Sequence, residues 1–536
     1  MHTNYHLYLN FNQQKNKPMR HLILLFTLFF LACYVFAQQK TDVQIINDKG
    51  YVQYSDFGAI GDGKADDMNA IIAAHEFANE HGLKVKADEG ATYYINGEDR
   101  TAIIQTDTDF GTAAFIIDDR DVENRNSSVF LVSSGKKSFK PEGISSLKRN
   151  LKKVELKFPG ACLITVTNSK VKRYIRFGPN QNNGHSQTDI FIVDKEGNVD
   201  MDAPVVWDFD EITEISALPI DAETLTISGG RFTTIANQAE SKYTYYSRNI
   251  AIRRSNVVLD GIEHYVKGEG EQGAPYGGFI NIRDCAYVTV KNTLLTGHKT
   301  YTTIGSAGRP VTMGTYDLSV NRALNVSFVN VTQTNDINDR TYWGILGSNY
   351  CKNLVYDNCT LSRFDAHMGV ANATVKNSTM GHMGINAIGT GTFLVENSTI
   401  RGSTLINLRS DYGSTWEGEF IIRDCVFVPR NGRFNNVNLI GGSYSGQHDF
   451  GYTCYMPEKI TIENLHINDS KHSENYRGPA LFGNFNPKMT DGSYVEKYPY
   501  VITKELVLKN ITTESGKKIR ISDNEYMFRN VNVKNM

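Results

Sequence analysis

The feature that most constrains this chain is a turn centred on asparagine that closes one short apolar run after another. Val355-Tyr356-Asp357-Asn358-Cys359-Thr360, Val375-Lys376-Asn377-Ser378-Thr379 and Val395-Glu396-Asn397-Ser398-Thr399 are its clearest copies. Asn358, Asn377 and Asn397 are spaced by 19 and 20 residues, at the short end of the periods of stacked repeats. Related units stand at Lys291-Asn292-Thr293, Val329-Asn330-Val331-Thr332, Ile462-Glu463-Asn464 and Leu508-Lys509-Asn510, with wider gaps that imply inserted loops or extra coils. A side-chain amide at such a turn can bond the coil above, so the pattern predicts a ladder of stacked asparagines. Several units match Asn-x-Ser/Thr; we read them as ladder chemistry rather than as glycosylation acceptors.

Composition agrees with a solenoid. The 536 residues include 48 Asn and 45 Gly but only 13 Pro, with 28 Tyr and 27 Phe. That mixture suits many tight turns between short strands and excludes a helical bundle. The length allows several globular domains or one long repetitive domain that grows by adding coils, and the repeat selects the second. Fifty-six basic residues against 58 acidic ones, a net charge of −2, argue against general nucleic-acid binding.

Met19-Arg20-His21 followed by the apolar run Leu22–Phe36, with Val35-Phe36-Ala37 before Gln38, reads as a secretory signal peptide over 1–37. The polar residues before Met19 fit no signal architecture, which makes Met19 an alternative start. The expected chain is exported, periplasmic or extracellular, with no membrane span; a lipoprotein through Cys33 is the lesser alternative. Six cysteines remain: Cys162, Cys285, Cys351, Cys359, Cys425 and Cys454. They show no zinc spacing and are expected as buried thiols, with Cys351–Cys359 the pair to consider for a disulfide. Cys285 and Cys425 share the context Ile-Arg-Asp-Cys, which suggests a repeat position inside a strand.

After the leader, Asp56-Phe57-Gly58-Ala59-Ile60-Gly61-Asp62-Gly63-Lys64-Ala65-Asp66-Asp67 precedes a helical pattern from Met68 to Glu80. Ile71, Ile72, Ala74, Phe77 and Ala78 carry its apolar face, Asp66 is the expected N-cap and Gly82 the stop; Leu83–Ala87 then reads as a strand. This segment resembles the N-terminal signature of pectate-lyase-like right-handed parallel β-helix proteins. The resemblance implies an all-β, single-stranded right-handed parallel β-helix whose open end is covered by this short helix. It is specific for the fold and poor for activity, because lyases, hydrolases, epimerases and phage tailspikes share it. The expected organisation is a cap and first coils over 38–117, an irregular β-rich insertion over 118–245 and the main β-helix over 246–536. Within the insertion, Tyr174–Phe177 and Val205–Phe209 look like strands. Lys136–Lys157 carries eight basic and two acidic residues, either a solvated face or a lip for an anionic polymer.

Titratable residues gather between His298 and Glu419. With the Asn turns as a ruler, the fifth position after each turn gives Asn335, Arg363 and His382, and the ninth gives His367 and Asn386, with Asn407 below after a one-residue shift. Neighbouring coils stack about 4.8 Å apart, so Arg363 is expected beside His382 and His367 beside Asn386. Arg363, Asp365 and His367 alternate onto one face, and Arg409-Ser410-Asp411-Tyr412 brings a second Arg, an acid and a Tyr. The set suits β-elimination on a uronate polymer. A cation or amide neutralises the carboxylate, a base takes the C5 proton and an acid protonates O4. Arg363 and Arg409 are the expected clamps, His367 or His382 the base and Tyr412 the acid. Asn386, Asp365, Asn335, Tyr316, Trp343 and Trp416 are the expected substrate contacts. No cofactor is required; Ca²⁺ held by Asp317, Asp365, Asp411 and Glu417 is the variant.

The rivals are hydrolysis, which wants two flanking carboxylates, and a non-catalytic carbohydrate-binding β-helix. The polygalacturonase-type series is mostly absent: Asp118-Asp119 lies outside the repeats, and Gly381-His382-Met383-Gly384 is a partial echo. Arg363–Val370, Gly381–Gly391 and Asn407–Trp416 look similar to secreted bacterial polysaccharide lyases of the same superfamily, glycosaminoglycan lyases among them. That resemblance implies an acidic polysaccharide partner, of glycosaminoglycan or pectin type, bound by a monomer.

Overall fold

Long apolar strands separated by left-handed Asn corners can satisfy their backbone only by pairing with the coil above and below, and that is what the chain does. A computed structural model describes residues 49–344, 346–430, 436–470 and 472–535. The expected leader, with Met19 and Cys33, lies outside the described residues. The chain divides into units 1–52 and 53–536, and the second holds everything that follows.

Parallel pairing runs coil to coil down this unit. Gly277–Lys291 pairs with Tyr316–Val329, which pairs with Leu346–Asp357, which pairs with Phe364–Lys376. The series continues through Gly389–Glu396, Trp416–Pro429, Lys459–Ile467 and Glu505–Thr513. Inward positions such as Phe328, Tyr356, Phe364, Phe393 and Phe420 are fully buried and stack along the axis. This is the right-handed parallel β-helix that the Asn spacing and the N-terminal signature implied.

The predicted Asn ladder forms. Asn292, Asn330, Asn358, Asn377, Asn397, Asn464 and Asn510 all have φ between 44° and 56°, the left-handed region that Asn tolerates better than other non-Gly residues. Asn330 Nδ2 donates to Asn292 Oδ1 (2.9 Å), Asn358 to Asn330 (2.7 Å), Asn397 to Asn377 (2.8 Å) and Asn510 to Asn464 (2.9 Å). Asn377 instead donates to Asp357, and Asn464 to Asp424. A second ladder, Asn325, Asn353 and Asn372, marks another corner. The twin Ile-Arg-Asp-Cys segments are not equivalent. Asp424 stands in the first ladder, whereas Asp284 aligns with Arg322 through the Cys285–Ala323 pairing. Both aspartates are left-handed and both cysteines lie inside long strands.

The capping helix spans Met68–His81 with Gly82 at φ 67° ending it. Its N-cap is Asp67, not Asp66. The Asp67 carboxylate accepts the amides of Ile60 (2.7 Å) and Gly61, tying the glycine-rich turn to the helix, while Asp66 pairs with Arg100. Ile71, Ala74 and Ala78 are buried against the early strands Lys84–Lys86 and Ala102–Ile104.

Within the stretch expected to be irregular, Leu225–Ile235 is already a coil strand and pairs with Thr108–Asp118, so Asp118 lies inside the ladder. Between these coils an antiparallel sheet of Cys162–Arg173, His185–Val193 and Glu214–Pro219 builds its own core around Phe158, Ile164, Phe191 and Phe209. Tyr174–Phe177 and Val205–Phe209 are irregular rather than strands. Their aromatic residues pack the insertion against itself and the solenoid, which mimics a strand pattern without ladder pairing. Lys352 anchors the insertion from below: its buried ammonium bonds Asp189 (2.8 Å) and Pro204 O. All six cysteines in the described residues are free and buried. Cys351 and Cys359 are therefore not bridged; the Asn353 and Asn358 corners lie between them.

Candidate active site

Asp365, Asn386 and Asn407 form one row on successive coils. Their neighbours Phe364, Ile385 and Ile406 point into the core and are fully buried, so the row points outward. Asn407 Nδ2 donates to Asn386 Oδ1 at 2.9 Å. The expectation that His367 would face Asn386 is therefore off by two positions. Leu361 pairs with Met380 but Phe364 with Ile385, so the corner at Gly381–Gly384 holds two more residues than the one above it.

Around Asp365 the charges interlock. The carboxylate, fully buried, takes an ion pair from Arg363 and another from Arg409 Nη1 (3.2 Å). Arg409 also clasps Asp411 with Nε and Nη2 at 3.1 and 2.7 Å, and Arg176 reaches Asp411 at 2.9 Å. Burial opposes ionisation of Asp365, but Arg363 and Arg409 hold it below the usual carboxylate range. Asp411 is likewise driven to about 2 against its own burial. Both acids stay ionised at neutral pH. Arg363 lies flat against Gly344, where any side chain would overlap its Cδ, and under the Trp343 ring at 5.6 Å.

His367 occupies a bulge. Ser348 pairs with Ala366 and Asn349 with Met368, leaving His367 as the extra residue, a device that re-aims a side chain. Its Nδ1 is 3.0 Å from Asn349 Oδ1, which can only accept, so Nδ1 carries the proton and Nε2 keeps its lone pair. Burial first, then the Arg409 charge, depress the imidazole to about 3, so it is neutral. Tyr316 is half-buried, and its phenol lies in the field of Asp365, Arg363, Arg409 and Arg176. Burial, then Asp365, raise it, so it keeps its proton.

Other expected residues fall elsewhere. Tyr412 is 1% exposed. It ends the short turn Ser410–Tyr412 and turns its ring edge-on beneath His367 (5.5 Å), with Arg176 and Arg409 over it at 5.5 and 5.4 Å. It supports the cluster from below and cannot reach a ligand. Trp416 is core: fully buried against Phe393 and Phe420, with Nε1 on Gly391 O. His382 bonds Ile337 O and lines a separate groove with Arg340, Arg401 and Arg430. Asn335 braces the Gly297 amide (2.8 Å).

The four acids of the Ca²⁺ variant do not converge. Asp317 is buried between His264 (2.7 Å) and His298 (3.2 Å), and Glu417 pairs with Arg149. Asp365 and Asp411 are spent on arginines. Among the described residues no group of three His, Cys, Asp or Glu is placed to hold a metal.

Arg176 is the functional-looking residue that sequence reasoning missed. It comes from the irregular segment of the insertion, where no repeat gives a register. Past Asp411 a groove of about 500 Å³ continues between Phe177, Tyr444, His448, Phe485 and Lys488.

No protein-family model matches the chain. A capsule KL64-specific depolymerase of Klebsiella phage P510 is 31% identical over 100 residues, 16% of this chain and 10% of the relative. The chain thus spans about a tenth of the length of that curated relative. Among solved structures, the Gp54 tailspike of Acinetobacter baumannii bacteriophage AP22, in complex with capsular saccharide, superposes with a TM-score of 0.50 at 10% identity. The match covers 92% of this chain and 80% of that one. The tailspike gp61 of Pseudomonas phage phi297 gives 0.49 at 13% identity, over 86% and 80%. The AP22 likeness is one of fold. It supports the β-helix and does not single out the pectate-lyase-like branch. Among the described residues no helix is long and apolar enough to cross a membrane.

Proposed function

We propose that the protein is an exported polysaccharide lyase that cleaves a uronate-containing acidic polysaccharide by β-elimination. The observation that carries this reading is the placing of the partly exposed Arg176 and Arg409 beside the neutral, bulged His367 and the half-buried phenol of Tyr316. The printed descriptions of the capsule depolymerase and of the saccharide-bound tailspike agree with a polysaccharide ligand.

In this scheme Arg409 and Arg176 draw the uronate carboxylate, and Asn386 and Asn407 hydrogen-bond the neighbouring sugar. Charge neutralisation acidifies C5. His367 Nε2 takes that proton, the C5–H electron pair forms the C4=C5 double bond, and the C4–O4 bond breaks. Tyr316 gives its proton to the departing O4. The arriving carboxylate also offsets the Arg409 charge that depresses His367, so the base strengthens when substrate binds. Arg363, Asp365 and Tyr412 position these groups.

Hydrolysis fits less well, because it needs one carboxyl group that keeps its proton near neutrality. Asp365 and Asp411 are both held ionised by arginines. The test is incubation with a panel of glycosaminoglycans, pectins and bacterial capsular uronates, following ultraviolet absorbance and new reducing ends together. Both signals rising in step support the lyase. Reducing ends without absorbance point to a hydrolase, and neither signal on any polymer points to a binding module.

A further inference from the structure

A second cavity, of about 250 Å³, lies between the antiparallel insertion and the solenoid; of the residues expected to meet a ligand, only Glu417 of the Ca²⁺ variant and Arg149 of the basic run line it. Small-molecule sites begin at about 300 Å³, so this one suits a single ring rather than a length of chain. Trp207 and Arg173 line it from the insertion, Tyr350 and Ala371 from the solenoid, and Tyr452 and Tyr455 from the later segment that carries the short strand Cys454–Tyr455. The four aromatic rings are each only half-buried. Trp207 and Tyr452 stand side by side, centroids 6.2 Å apart at 34°, as one wall.

The lining charge is asymmetric. Arg149, Arg173 and Lys352 face Asp189 and Glu417, one cation in excess. Arg149 pairs with Glu417 (2.9 Å) and Lys352 with Asp189 (2.8 Å). Arg173 gives its bonds to neutral acceptors, the Gln187 side-chain oxygen (2.8 Å) and the Gly451 carbonyl, and stacks its guanidinium over Trp207 at 4.6 Å. Burial lowers its affinity for its proton, so an incoming anion is stabilising there. Arg149 and Glu417, 40% and 37% exposed, stand at the mouth. Gly369 forms part of the floor with φ 70°, and a side chain there would overlap the Tyr174 phenol.

We infer that this cavity binds one hexuronate ring, its C–H face on the Trp207–Tyr452 wall and its carboxylate toward Arg173. Tyr174 separates it from the elimination site, with its ring 6.3 Å from that of Tyr412. The identity of the natural ligand rests on the uronate substrate proposed above, but the binding test does not use turnover.

The chain has three tryptophans: Trp207 in this cavity, Trp343 over Arg363 and Trp416 in the core. Titration of the full protein with sodium glucuronate or galacturonate, glucose serving as the neutral probe, is expected to change tryptophan emission. The signal should survive Trp343→Phe and vanish in Trp207→Phe. Arg173→Gln should weaken the uronate by about tenfold or more, and glucose should bind that much more weakly than the uronates. Ala371→Leu narrows the cavity without touching a charge; it should abolish the response, and it stands in if Arg173→Gln lowers the melting temperature. No response to either uronate, a response that survives Trp207→Phe, or equal binding of glucose overturns the inference. Uronate binding at Trp207 with no elimination product removes the lyase reading alone. Elimination without a Trp207 response removes the cavity alone.

Discussion

Asp365→Asn removes one negative charge from a place where nothing else can supply it. In the native protein the carboxylate is fully buried between Arg363, whose side chain is 4% exposed, and Arg409, 13% exposed. Asparagine keeps the shape but leaves Arg363 as a buried cation without a counter-charge. Breaking a buried pair from one side costs about 3–5 kcal/mol. Arg409 retains Asp411, so the loss falls mainly on Arg363. Removing both ends in Arg363→Met/Asp365→Asn should recover most of the loss, because a buried pair replaced by apolar atoms is close to neutral. Urea unfolding followed by circular dichroism measures both variants and gives the coupling between them. A loss under about 1 kcal/mol in the single variant, or no recovery in the double, would refute the claim that Asp365 is the buried keystone of the arginine cluster.

Further outcomes follow from the same geometry. His367→Ala should lower turnover by about a hundredfold or more, the range of a lost general base, whereas His382→Ala should stay within a few-fold; equal losses would put the base in the wrong place. Stability should fall on both sides of neutrality. Asp317 and Glu269 lift His298 to about 9 against its burial, so its stabilisation is complete below about 6.5 and is lost as pH rises through 9. Burial lowers His75 and His367 to about 3, so theirs is present above 6.5 and lost as pH falls toward 3. Melting temperature against pH reads both limbs, and His298→Asn should flatten only the alkaline one. Asn330→Ala should destabilise by about 2–3 kcal/mol, from two ladder bonds and a left-handed backbone, and Asn330→Gly by distinctly less, since φ 56° suits glycine. Equal losses in urea unfolding would mean that the backbone conformation contributes nothing.

The solenoid was legible because its signal is local and repeated. Each Asn corner announces a left-handed turn and a ladder bond, and the capping helix carries its own period and stop. The site was legible only in part. Arg363, Asp365, His367 and Arg409 do come together, but two extra residues at Gly381–Gly384 shifted the row, so Asn386 faces Asp365. An alternating pattern gives two faces without saying which is inside, so it does not place Trp416 and Tyr412 in the core. Bulges such as the one at His367 reset that parity. Arg176 was invisible for a different reason. It reaches Asp411 across 235 residues of sequence from an insertion with no repeat to count from.

The central claim is that the glycosidic bond breaks by elimination. The most direct measurement is mass spectrometry of limit products formed from a uronate polymer in heavy-oxygen water. The account requires products whose new non-reducing ends lack one water relative to a hydrolysed end. Heavy oxygen at the cleaved bond, with fully hydrated ends, would contradict it.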